Sequence, residues 1–64
     1  MEEKQLLIKA LDRLENGDIL GSAELLSECY SSEAEEALDI LSEGDVGAIA
    51  IAAARIRKAI ESYD

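Results

Sequence analysis

Two Gly-Asp pairs, Gly17-Asp18 and Gly44-Asp45, punctuate a 64-residue chain that contains no proline. Each pair offers a glycine for the left-handed residue that closes one helix and an aspartate to cap the next. Around them the aliphatic residues recur at spacings of three and four, the period of a helix with one buried face. Leu6, Leu7, Ala10, Leu11 and Leu14 form a first stripe. Ile19, Ala23, Leu26, Tyr30, Ala34, Ala37, Leu38 and Leu41 form a second, and Val46, Ile49, Ala53, Ile56, Ile60 and Tyr63 a third. No segment alternates with the period of a strand.

These stripes predict an all-α fold, a single helical-bundle domain over residues 1–64. They place helices at Glu2 to Glu15, Ile19 to Glu43 and Val46 to Tyr63, a three-helix up-and-down bundle with a long central helix. The second stripe keeps its phase through Ser31-Ser32, and without proline nothing forces a break. The alternative is four short helices arranged as two Gly-Asp hairpins. Ser32-Glu33-Ala34-Glu35 matches a capping box that would begin a new helix. An internal echo also runs through the chain. Ala10-Leu11-Asp12, Leu14, Gly17-Asp18 and Ala23 return 27 residues later as Ala37-Leu38-Asp39, Leu41, Gly44-Asp45 and Ala50. Repeated helix–turn–helix grammar accounts for it as simply as duplication does, and two units are too few for a solenoid.

Composition removes several function classes. The chain is 48% hydrophobic, too apolar for a disordered acidic tail. Its apolar residues are small, so a core this short needs good packing and capping or completion by a second copy. There is one Cys and no His. One chain therefore builds neither a disulfide framework, nor a zinc finger, nor a Ser-His-Asp triad. Met1-Glu2-Glu3-Lys4 is unlike a signal peptide, and no apolar run reaches the roughly 18 residues of a membrane span. Fifteen acids against six bases give a net charge of -9, which repels nucleic acid and anionic membrane. The expectation is a cytoplasmic protein that needs no cofactor or metal and binds neither nucleic acid nor membrane directly.

The charge is segregated. All the bases lie near the two ends (Lys4, Lys9, Arg13; Arg55, Arg57, Lys58), while acids accumulate between them. On one continuous helix, Glu24, Glu28, Glu35, Glu36, Asp39 and Glu43 would share a sector of about 100°. Such a ridge is a solvated face that keeps a small protein soluble, or a docking surface for a basic partner. Mimicry of a nucleic acid is a narrower form of the second reading. One-turn spacings among these acids suit divalent ions, but helical metal sites converge from several helices and di-iron bundles use Glu-x-x-His. A carboxylate-based metal-dependent enzyme is accordingly the least favoured function, and no catalytic residue is assigned.

Cys29 reads as a small buried hydrophobe set among Glu24, Glu28 and Glu33, a poor setting for redox chemistry. Tyr30 and Tyr63 read as core residues with rim hydroxyls. Glu33 leans into its own stripe and reads as a boundary residue. The two Gly-Asp pairs are turns and not phosphate sites, since a capping carboxylate already occupies the helix amides.

From Tyr30-Ser31-Ser32-Glu33-Ala34-Glu35-Glu36 through Gly44-Asp45-Val46-Gly47-Ala48-Ile49-Ala50, the chain resembles a small archaeal family described only as a domain of unknown function. That resemblance covers about a third of the chain and implies a three-helix up-and-down bundle. More distantly the segment is similar to the helical hairpins of HEPN domains and tetratricopeptide repeats. Glu43 before Gly44 and the scarcity of aromatics depart from the family pattern. HEPN ribonucleases use an Arg-x4-His motif, so that activity does not carry over to a chain without His.

One violation of amphipathicity points to self-association. Val46 to Ala54 contains no charged side chain. Ile51 points about 160° away from the third stripe, flanked by the small Ala50 and Ala54, with Lys58 on the same face. A helix apolar all round is usually buried all round. The sequence thus suggests a small acidic, non-enzymatic protein-interaction module that forms a homodimer through Ala50, Ile51, Ala54 and Lys58. The alternative is a docking or inhibitory protein for a basic partner.

Overall fold

Gly17 and Gly44 adopt positive φ, 85° and 71°, and each closes a helix at the place the sequence marks. The computed structural model describes residues 2–63. Four helices follow in order: α1 (Glu3–Glu15), α2 (Ile19–Leu26), α3 (Ser32–Ser42) and α4 (Val46–Glu61). No strand occurs among the described residues. Asp18 and Asp45 cap α2 and α4, accepting from the amides of Gly21 at 2.9 Å and Gly47 at 3.2 Å. Each cap meets one of the amides that a helix start leaves without an intrahelical partner.

The central segment is not one helix. It divides at residues 27–31, giving the arrangement of two Gly-Asp hairpins, α1–α2 and α3–α4. The cause is local. The Ser27 hydroxyl donates to the Glu24 carbonyl at 2.6 Å, and the amides of Glu28 and Cys29 bond back only three residues, to Leu25 and Leu26. Such tightened turns end a helix. Ser31 then takes an extended conformation and accepts from the Ala34 amide at 3.3 Å, so the cap of α3 is Ser31, one residue before the expected Ser32. The carboxylate of Glu3, at the start of α1, accepts from the amides of Tyr30 and Ser31. It supplies from a distant part of the chain the acceptor that a continuous helix would supply locally.

The break turns Tyr30 outward. It is 94% exposed and belongs to no core. Val46 is likewise exposed, at the first turn of α4, and Tyr63 is half exposed with its hydroxyl donating to Glu3. The core instead joins Leu7, Ala10 and Leu14 of α1, Leu26 of α2, Ala34, Ala37 and Leu41 of α3, and Ala52, Ala53, Ile56 and Ala59 of α4. Cys29 is buried beside them, as expected, and Glu33 is half-buried. On α4 the buried face is therefore rotated toward Ala48, Ala52 and Ala59, leaving Ile49 and Ile60 only partly covered. Small side chains let α4 approach its neighbours closely, with Ile56 the one isoleucine fully buried on that face.

The echo in the sequence has a structural counterpart. Leu7, Ala10 and Leu14 are buried on α1 where Ala34, Ala37 and Leu41 are buried on α3. One exposed ion pair ties the hairpins together, Arg57 to Glu15 at 3.0 Å, and another, Arg55 to Glu36 at 3.7 Å, lies within the second hairpin. Pairs of this kind contribute about 0–1 kcal/mol each, so the apolar core carries the assembly.

Candidate functional site

The outer face of α4 is where sequence and structure meet most directly. Ile51 is 53% exposed, and Ala50 and Ala54 beside it are exposed too. With Arg55 and Lys58 they line a shallow apolar groove. The α4 residues that are buried, Ala48, Ala52, Ala53, Ile56 and Ala59, lie on the other side of the helix. Arg55 turns toward Glu36 of α3, whereas Lys58 has no carboxylate within ion-pair distance among the described residues. Removing an apolar strip of this kind from water is favourable in proportion to its area.

The acidic ridge takes a different form from the one expected of a single helix. Glu24 lies on α2 and Glu28 in the segment after it, while Glu35, Glu36 and Asp39 lie on α3 and Glu43 caps its end. All six are exposed. Glu28 faces a depression shared with Leu6, Lys9 and Tyr30. Glu35, Glu36 and Asp39 line another, open one with Leu38 and Ser42. The ridge is thus two patches, because five residues of non-helical backbone reset the helical phase between them. Among the described residues, no group of three or more His, Cys, Asp or Glu side chains could hold a metal ion.

Cys29 is chemically quiet. Burial, with the carboxylates of Glu3 and Glu28 adding to it, pushes its thiol up to about 11 from an ordinary value near 9. Its Sγ donates to the Leu25 carbonyl at 3.6 Å. A thiol held protonated at neutral pH is a weak nucleophile.

Two residues escaped the sequence reading. Ser22 is fully buried, its hydroxyl donating to the Ala10 carbonyl at 2.8 Å. Glu3 joins the start of α1 to Tyr30, Ser31 and Tyr63. Ser22 is flagged by lying one helical turn before Leu26 on a buried face. Nothing local flags Glu3, whose partners are far away in sequence. No helix among the described residues is long and apolar enough to cross a membrane. No protein-family model, curated protein or solved structure matches the chain.

Proposed function

We propose that the protein is a small, acidic, non-enzymatic interaction module whose first partner is a second copy of itself, docked through the outer face of α4. The observation that carries this reading is the exposed apolar strip of Ala50, Ile51 and Ala54 on a helix whose opposite face already fills the core. Charge favours a second copy as the occupant. If two α4 helices pair antiparallel with Ile51 at their crossing, Lys58 lies seven residues beyond it and Gly44 seven before it. Lys58 of one copy then comes level with the Glu43-Asp45 turn of the other, and the pairing repeats by symmetry. Alanines at Ala50 and Ala54 allow the close helix approach this needs.

Sedimentation equilibrium at micromolar concentration tests the reading. The expected result is a dimer mass for the natural chain and a monomer mass for Ile51→Glu, with unchanged helical circular dichroism in both. A monomer mass for the natural chain, or a dimer that survives Ile51→Glu, removes this face as the interface.

A further inference from the structure

At one end of the bundle, Ile19 at the start of α2 meets the Gly44-Asp45 turn, and an apolar cleft of about 150 Å³ opens there. Leu41 and Ala48 form its buried floor, and Ile19, Ile49 and the exposed Val46 its walls. An apolar cavity of similar volume in another protein holds a benzene molecule, so this one has room for a single aliphatic or aromatic side chain. Its surroundings are acidic. Asp45 lies in the lining, Glu43 precedes Gly44 and Asp18 precedes Ile19, while no Lys or Arg lines it. The nearest base in sequence, Arg13, already stands 4.0 Å from Asp18. Asp45 uses Oδ1 to cap Gly47, which leaves its other oxygen for an incoming donor.

We infer that this cleft docks a partner polypeptide by one Leu- or Phe-sized side chain flanked by Lys or Arg, the apolar residue entering the cleft and the bases meeting Glu43 and Asp45. A second copy of this chain suits it poorly, because all three of its arginines are already paired, to Asp18, Glu36 and Glu15. The cleft's apolar walls lie apart from the proposed self-association strip, and the two surfaces share only the acids of the Glu43-Asp45 turn. Val46 and Ile51 are five residues apart on α4, hence about 140° apart around it.

The test uses three end-capped nonapeptides and amide chemical shifts of the ¹⁵N-labelled chain. One peptide has a central Leu flanked by Lys and Arg, the second a central Ser in the same basic context, and the third a central Leu flanked by Glu. The basic Leu peptide is expected to shift the amides of Ile19, Gly44, Val46 and Ile49 saturably. The Ser peptide is expected to bind at least tenfold more weakly and the acidic peptide not at all. Val46→Lys weakens binding at least fivefold, Val46→Ser serves where the lysine variant fails to fold, and Ile51→Glu does not weaken binding, since loss of self-association only frees Glu43 and Asp45. The inference is overturned by no saturable shift at millimolar basic Leu peptide, or by equal binding of the Ser peptide. Shifts centred on Glu35, Glu36 and Asp39, or insensitivity to the folded Val46 variant, overturn it as well.

Discussion

The hydroxyl of Ser22 donates a buried 2.8 Å hydrogen bond to the carbonyl of Ala10, joining α2 to α1 in the middle of the first hairpin. Ala10 lies mid-helix, where its carbonyl also takes the regular helical bond, so Ser22→Ala leaves no orphaned acceptor. Loss of the bond costs about 1 kcal/mol, and the better helix propensity of alanine returns roughly half of it. Ser22→Val adds bulk where there is no exposed surface and should cost about 1–3 kcal/mol. Urea midpoints check the order. A valine variant as stable as the alanine variant would mean the site has slack.

Glu3 acts as a clamp across the helix break. Its carboxylate accepts from the Tyr30 amide, from the Ser31 amide at 3.2 Å and from the Tyr63 hydroxyl. Glu3→Ala should cost about 1–2 kcal/mol, and Glu3→Gln less, because the amide oxygen still accepts. Hydrogen exchange locates the effect. Exchange at Tyr30 and Ser31 should quicken in Glu3→Ala, and unchanged rates there would show that the clamp does not hold the break.

Cys29 predicts a pH dependence with a definite sign. Its folded thiol ionises near 11, against about 9 for the ordinary group, chiefly through burial. Below pH 9 both folded and unfolded chains keep the proton and stability is unaffected. Between 9 and 11 the unfolded chain releases its proton first, so stability falls as pH rises, and the loss is complete above 11. Alkylation by iodoacetamide at pH 8 should be slower in the folded than in the urea-unfolded chain by an order of magnitude or more. Glu3→Gln should lower the folded ionisation, since the Glu3 charge is one of its causes. Equal alkylation rates in the two states would contradict the burial.

The hairpin turns, their caps and the helical class could be read from Gly17-Asp18 and Gly44-Asp45 because capping chemistry is local. The exposed face of α4 could be read as well, since periodicity separates Ile51 from Ile56 without knowledge of neighbours. The division of the central helix was visible only as an ambiguity. The stripe through Tyr30 keeps helical phase, and the competing Ser31 cap gains its support from Glu3, which no local window contains. The rotation of the α4 core toward Ala52 and Ala59 escaped for a similar reason. A stripe chosen by side-chain size favours isoleucines, whereas close helix approach selects alanines. The cleft beside Val46 lies between two turns that are distant in sequence, and so it exists only once the hairpins are packed.

The glycines separate conformational from steric cost. A Cβ built at Gly17 or Gly44 meets nothing within 4 Å, so alanine at either position pays only for its positive φ, about 1 kcal/mol. Asn should cost less than Ala at both. Gly21 is the reverse case: a Cβ there would lie 2.2 Å from Asp18 Oδ2. Gly21→Ala should gain about 1 kcal/mol in helix propensity and lose a similar amount by displacing the cap. In an Asp18→Ala background only the gain remains. Thermal denaturation of the two single variants and the double variant checks this, and a Gly21→Ala effect identical in both backgrounds would contradict it.

A charge exchange examines the proposed dimer more closely than removal of Ile51 can. Antiparallel pairing across Ile51 brings Lys58 of each copy level with Glu43 and Asp45 of the other. Asp45 caps α4, so Glu43, an exposed residue at the end of α3, is the acid to exchange. Lys58→Glu sets like charges opposite each other twice per dimer and should weaken association about fivefold at low salt. Glu43→Lys should act similarly, offset in part by the lower net charge of each copy. The double variant, Glu43→Lys with Lys58→Glu, restores opposite charges across the interface and should recover most of the affinity. All these differences should shrink at high salt, because the groups are exposed and screened. Sedimentation of the four proteins at two salt concentrations decides the matter. Losses that simply add in the double variant would show that Lys58 does not meet the Glu43 turn, and the antiparallel register would then be wrong.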